Sequence, residues 1–335
     1  MSLAAPLPVA GQLGADEIRQ LQDEVRALAA ERDAVILAHN YQVPEVQDVA
    51  HYVGDSLGLS QQAAKAEGSA IVFCGVHFMA ETASILCPGK TVLIPDLDAG
   101  CSLADSITAE QLTAWQAKHP GAVTVMYVNT TAEVKALTDY CVTSSNAVNV
   151  VRHILDTHGP DTEILFGPDM FLGAYVEKEL GVRMRVWDGE CHVHAGIRPD
   201  DIAATRAAHP GADFLIHPEC GCSTSVMEYV AAGDVDAEGV HMLSTGGMLK
   251  FAERAEPGST VIMATEVGML HPLRMAAPQV DFIAANERAS CRYMKMITLP
   301  KLRDALRELK HEVKVPAAVA ERARVPIERM VAIGA

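Results

Sequence analysis

The sequence has no CxxC pair among its eight cysteines, no GxGxxG, and no apolar run near the ~20 residues that a membrane-spanning helix needs. Basic residues number 27 against 43 acidic ones, and aromatics make up only 5% of the chain. These shortages exclude several classes. Without close cysteine pairs, the common closed zinc sites are missing. Without GxGxxG there is no dinucleotide fingerprint, and without CxxxCxxC radical S-adenosylmethionine chemistry is disfavoured. A net charge of −16 repels nucleic acid and anionic membrane, so neither is expected as a partner. CPGKT (87–91) has the end of a P-loop, but Ser84 stands where the leading glycine belongs. MSLAAPLPVAGQLG lacks the basic region and apolar core of a signal peptide, and 1–14 reads as a disordered tail. Eight cysteines without a secretion signal point to thiols or metal ligands in a reducing cytoplasm.

What is there is an alternation of helices and short apolar strands. ADEIRQLQDEVRALAAERD (15–33) places Ile18, Leu21, Val25 and Leu28 on one stripe, and AVILAH (34–39) suits a strand buried on both faces. The pattern continues along the chain and predicts an α/β protein with parallel sheets. It also repeats. KHPGAVTVMYVN (118–129) and AHPGADFLIHPE (208–219) share a helix end, an HPGA turn, a strand and a polar tip, and AERDAVILAHNY (30–41) is a weaker first copy. Ser56 and Ser144 follow their strand tips by the same spacing, and Thr245, beside Ser244, takes that place in the third copy after an insertion within 220–239. Cys101, Cys191 and Cys291 fall at matching places, one per repeat. Three similar αβα modules about a pseudo-threefold axis would bring them together, with the active site at the centre. The expected modules are 15–117, 118–209 and 210–297. Helices in 298–335, broken at Pro326, are expected to pack back on the first module.

A lone cysteine is usually a small buried hydrophobe, and Cys74, Cys87 and Cys141 are read that way. Three that converge are different. Thiolates suit zinc or an iron–sulfur cluster, and closed structural zinc wants four ligands. Three cysteines on a [4Fe–4S] cluster leave one iron without a protein ligand, able to act as a Lewis acid. Cys220 and Cys222, a CxC beside His217, are the rival ligand set, and a zinc-dependent hydrolase or lyase built on them is the alternative function. A non-catalytic iron–sulfur redox sensor is a second alternative.

An ordered set of motifs then carries a resemblance: AHNYQVPEVQD, GDSLGLS, AGCSLAD, YVN, TSSNA, DGECHVHAGI, HPEC, STGGM and SCRYMKMITLPKL. Over roughly 30–335 the sequence resembles quinolinate synthase of the A type, the iron–sulfur enzyme of bacterial NAD biosynthesis. The resemblance implies condensation of iminoaspartate with dihydroxyacetone phosphate to quinolinate, with loss of phosphate and water. It implies a [4Fe–4S] cofactor on Cys101, Cys191 and Cys291, and an aspartate oxidase or dehydrogenase upstream. Some relatives carry CxxCxxC at the last site. Met294 and Ile297 stand there instead, so that redox disulfide is not expected. The family's substrate-contacting positions match His39, Ser56, Tyr127, Val128, Asn129, Ser144, His217, Pro218, Glu219 and Thr245, with Ser244 alongside. Tyr41 and His194 match residues lining the site.

Roles follow from chemistry. Ser56, Ser144 and Thr245, at helix starts, are expected to hold carboxylate or phosphate; the plainer reading of each is an N-cap. Glu219 is the expected general acid–base, at the tip of a buried strand. His39 and His217 can donate to carboxylates or move protons, and otherwise pack. Tyr41 and Tyr127 steer or protonate intermediates, or form an aromatic wall. Asn129 positions a carboxylate or carbonyl. His194, three residues past Cys191, is placed to touch the cluster edge or the substrate, and the resemblance gives iron ligation to cysteine rather than to it.

Overall fold

The computed structural model describes residues 13–223, 227 and 239–334. Most of the expected tail, and most of the expected insertion at 220–239, lie outside them. The strands form three four-stranded sheets. The first holds β1 (Ala34–His39), β2 (Tyr52–Gly54), β3 (Ala70–Cys74) and β4 (Thr91–Leu93). The second holds β5 (Val123–Tyr127), β6 (Tyr140–Val142), β7 (Ile164–Gly167) and β8 (Arg185–Val186). The third holds β9 (Asp213–Ile216), β10 (Val240–Met242), β11 (Thr260–Ala264) and β12 (Asp281–Ala284). Their orders are β2-β1-β3-β4, β6-β5-β7-β8 and β10-β9-β11-β12, so one topology occurs three times. All pairings within the sheets are parallel.

The strand composition explains this. AIVFC in β3 is buried at every position and ILFG in β7 likewise, as strands covered by helices on both faces require. In each sheet the chain leaves the first strand on one side and returns on the other. That reversal opens a crevice at the carboxyl end of the strand, which is where open α/β sheets bind ligands. The crevices lie at the ends of β1, β5 and β9, immediately before or at His39, Tyr127 and His217.

The ends of the chain tie the modules together. Helix Ala15–Glu31 buries Leu21, Val25 and Ala29 and packs against helix Leu299–Glu308. Pro326 does not break the last helix, which runs unbroken from Ala317 to Ile333. Ala323, Pro326, Ile327 and Met330 are buried there. The helix lies on the second module (β6 and helix Ala132–Lys135) as well as on the first (helices Ser56–Lys65 and His77–Leu86). Asn146 Nδ2 donates to the Met330 carbonyl at 3.0 Å, and Arg329 to the Asp139 carbonyl at 2.6 Å. Burial across two modules offsets the hydrogen bond that proline removes. No helix among the described residues is long and apolar enough to cross a membrane.

Candidate active site

The strand tips use the two-residue period of extended chain, in which residues i and i+2 face the same way. His39 and Tyr41, Tyr127 and Asn129, and His217 and Glu219 all line one cavity. The residues between them, Asn40, Val128 and Pro218, are not among its lining, and Asn40 and Val128 are buried elsewhere in the fold. Val128 and Pro218 therefore do not present side chains to the cavity. Cys101, Cys191 and Cys291 line the same space. Burial raises all three thiols above their ordinary value, Cys101 to about 12, and repulsion from a neighbouring thiol adds to the rise at Cys101 and Cys191. All three are free thiols. A buried thiol this hard to ionise becomes a thiolate only beside a strong positive centre such as a metal.

The helix starts divide two tasks. Asp55 caps helix Ser56–Lys65 by accepting from Gly58 N at 2.7 Å, and Ser244 caps helix Thr245–Ala252 by accepting from Gly247 N at 3.2 Å. Ser56 and Thr245 are each one residue further on and line the cavity, so they are not N-caps. Ser244 is not among the lining residues; its hydroxyl meets Ser145 Oγ at 2.9 Å. Ser144 precedes its helix by three positions and meets His217 Nε2 at 3.2 Å.

The histidines are locked as neutral rings. Backbone N–H of Tyr41 donates to His39 Nδ1 at 3.2 Å, and that of Glu219 to His217 Nδ1 at 3.4 Å. An accepting Nδ1 leaves the proton on Nε2. Burial holds His39 and His194 down at about 3 and His217 well below its ordinary value. His194 stacks on His217 with centroids 4.6 Å apart. Tyr41 OH meets Thr265 Oγ1 at 2.6 Å and His194 Nε2 at 3.2 Å. Tyr127 OH donates to Glu219 Oε1. Burial, with Asp169 as a second cause, raises Glu219 to about 8 despite that hydrogen bond. His194 Nδ1 stands 3.4 Å from Glu219 Oε2 without hydrogen-bond geometry, and Asn129 Oδ1 is likewise buried without a partner. Such orphaned atoms in a cavity wall are expected where a ligand satisfies them.

Which atoms could hold a metal? Cys191 Sγ, His194 and Glu219 offer donors within 4.8 Å of one another. The three sulfurs are the softer set and suit an iron–sulfur cluster with one iron left open. Cys220 and Cys222 are unavailable. They are bonded to each other as a disulfide and fully buried in a cluster with Ile197, Phe214 and Ile216. A zinc centre on that pair is excluded, and the expectation that every cysteine is a thiol or a ligand fails there. Cys74, Cys87 and Cys141 are buried free thiols.

Comparison with known proteins decides the family. The family model for quinolinate synthetase A protein (NadA) matches residues 23–332. Proteins named quinolinate synthase are close relatives. That of Mycobacterium tuberculosis (strain ATCC 25177 / H37Ra) is 57% identical over 325 residues, covering 97% of this chain and 92% of the relative. That of Mycolicibacterium paratuberculosis is 58% identical over the same span. That of Mycobacterium sp. (strain KMS) is 59% identical over 312 residues, 93% of this chain and 91% of the relative. The chain belongs to the quinolinate synthase family.

This member of the quinolinate synthase family also carries site residues that the sequence reading missed. Asp169 Oδ2 accepts from Cys191 N at 3.1 Å, and Glu266 Oε1 from Cys291 N at 2.9 Å. Both follow the third strand of their sheet, and the first sheet has Val76 in that region. Two acids at matching strand ends were a legible signal. Glu266 is paired with Lys295 at 2.9 Å, and Lys295 Nζ also donates to the Tyr41 carbonyl. Thr265, which holds Tyr41 and His194, gave no sequence signal at all.

Proposed function

We propose that the chain is a quinolinate synthase of NAD biosynthesis, condensing iminoaspartate with dihydroxyacetone phosphate to quinolinate, with loss of phosphate and water. The observation that carries the reading is one cavity into which each of three like modules sends a cysteine and a polar strand tip. A [4Fe–4S] cluster on Cys101, Cys191 and Cys291 would supply an electrophile that polarises a substrate oxygen or nitrogen. The fit rests on three free soft donors lining one space, with Cys220 and Cys222 committed to each other. A mononuclear site on Cys191, His194 and Glu219 would leave Cys101 and Cys291 without a task.

The remaining steps belong to the chain. Ser56, Ser144 and Thr245 hold carboxylate or phosphate oxygens through their hydroxyls. His39 and His217, neutral, donate from Nε2 and add no proton at neutral pH. Asn129 orients a carboxylate or carbonyl by donating its amide N–H, and its unpartnered Oδ1 accepts from a substrate N–H or O–H. Glu219, protonated at rest, gives its proton to a departing hydroxyl and takes one back from carbon or nitrogen. Tyr127 hydrogen-bonds the carboxyl and sets the direction of that transfer. Tyr41, held by Thr265 and His194, steers an intermediate with its phenol. An aspartate oxidase or dehydrogenase would supply the unstable iminoaspartate.

The test is direct. Anaerobic, cluster-loaded protein incubated with oxaloacetate, ammonia and dihydroxyacetone phosphate should form the pyridine dicarboxylate. Fully loaded protein that forms none overturns the reading.

A further inference from the structure

We propose that Lys135 is the buried counter-charge of the cavity: it touches no substrate, and its ammonium raises the cavity's affinity for anions. The inference rests on the reading above, in which two anions and three thiolates share this space.

The cavity wall contains no Lys and no Arg. Residues 1–12, 224–226 and 228–238 contain none either. Four histidines line the wall, and burial lowers every one of them, which disfavours the charged form of each. Of the acids in the wall, Glu219 is protonated at rest and Glu266 is paired with Lys295, which leaves Asp55 as the remaining carboxylate, on a chain whose net charge is −16. A cavity of this kind repels two anionic substrates unless a cation stands behind it.

Arg292 lies over the Tyr293 ring at 4.6 Å but is exposed, so water and salt screen it. Lys295 is neutralised by Glu266 at 2.9 Å. Lys135 differs from both. It is completely buried, and among the described residues no carboxylate lies within ion-pair distance of it. Its Nζ donates to the Thr130 carbonyl, next to Asn129 at the β5 tip. The same Nζ stands 5.4 Å from the centre of the Phe78 ring, and Phe78 lines the cavity. Burial lowers this ammonium from its ordinary value, while Cys141, Glu81 and Cys101 oppose the shift. Through Phe78 and the β5 tip this charge stands directly behind the cavity wall. An unpaired buried charge is costly to fold. It is also weakly screened, so it acts over a longer range than a surface lysine does.

The experiment compares cluster-loaded wild type with Lys135→Met and Lys135→Arg by calorimetric titration of inorganic phosphate and of quinolinate. Lys135→Met should weaken both by roughly 10- to 30-fold. Lys135→Arg should recover most of that loss. Binding of uncharged dihydroxyacetone should be the same in all three. The unfolding midpoint of Lys135→Met should match or exceed wild type, since the substitution removes an unpaired buried charge. Phosphate binding by Lys135→Met at wild-type strength overturns the proposal. So does equal weakening of charged and uncharged ligands, which marks a packing role. If Lys135→Met does not fold, Lys135→Gln takes its place under the same criteria. The phosphate titration needs no turnover, so it can fail while quinolinate is still made, and the converse holds.

Discussion

The first and third sheets end alike and then diverge. Each places a histidine at its first strand tip, and each histidine accepts the backbone N–H two residues on through Nδ1. Each is neutral by burial. Two residues further, the first sheet presents Tyr41 and the third Glu219. The second sheet presents Asn129 at that place. The repeat thus builds one frame three times and hangs a phenol, an amide and a carboxylate on it. Only the carboxylate titrates near neutrality, pushed up to about 8. Under the proposed function, proton transfer is assigned to the third module, while each module contributes one cysteine to the cavity.

Equality is the sharpest claim to break. Ala at Cys101, Cys191 or Cys291 should abolish both cluster and activity, with the same outcome at each; iron and sulfide assays check this, and a retained cluster in any one variant breaks the symmetry. Next comes the divergence. Glu219→Gln should lower kcat by about 10²- to 10⁴-fold while the visible absorption of the cluster persists. Tyr41→Phe, at the matching place in the first module, should cost far less, and steady-state kinetics would expose any reversal of that order.

The same carboxyl makes a prediction about pH. Its folded pKa is raised above its unfolded value, so its contribution to stability is present at low pH and fades as pH rises through about 8. Asp169, raised to about 7, acts in the same sense. Denaturant titrations of the cluster-free protein should show a shallower loss of stability from acid to mildly alkaline pH in Glu219→Gln than in wild type. A smaller contrast separates neighbours at the helix starts. Thr245→Ala should raise KM about three- to tenfold. Ser244→Ala, one residue earlier, should instead cost about 1 kcal/mol of stability through loss of its cap. The smallest effect is expected from Cys220→Ser with Cys222→Ser, which should leave turnover unchanged.

Much of this frame is legible in the sequence because its signals are local. Strand tips, HPGA turns and one cysteine per repeat recur along the chain, and the three sheets repeat one strand order. What was not legible depends on direction or distance. Alternation along the tips turns Val128 and Pro218 from the cavity, and only the backbone reveals which of Ser244 and Thr245 caps its helix. Thr265 and Lys135 act through partners 71 to 224 residues away or through an aromatic ring, contacts that no periodicity encodes. Pro326 looked like a helix breaker because its packing against two modules is tertiary.

The central claim is that three sulfurs, one from each module, meet at the cavity and hold a cluster with one metal position open to it. Mössbauer spectroscopy of anaerobic protein reconstituted with iron-57 tests it most directly. The account predicts about four irons per chain, one of which changes its signal when dihydroxyacetone phosphate or quinolinate is added. Zinc in place of iron, or four irons that all ignore both ligands, would contradict it.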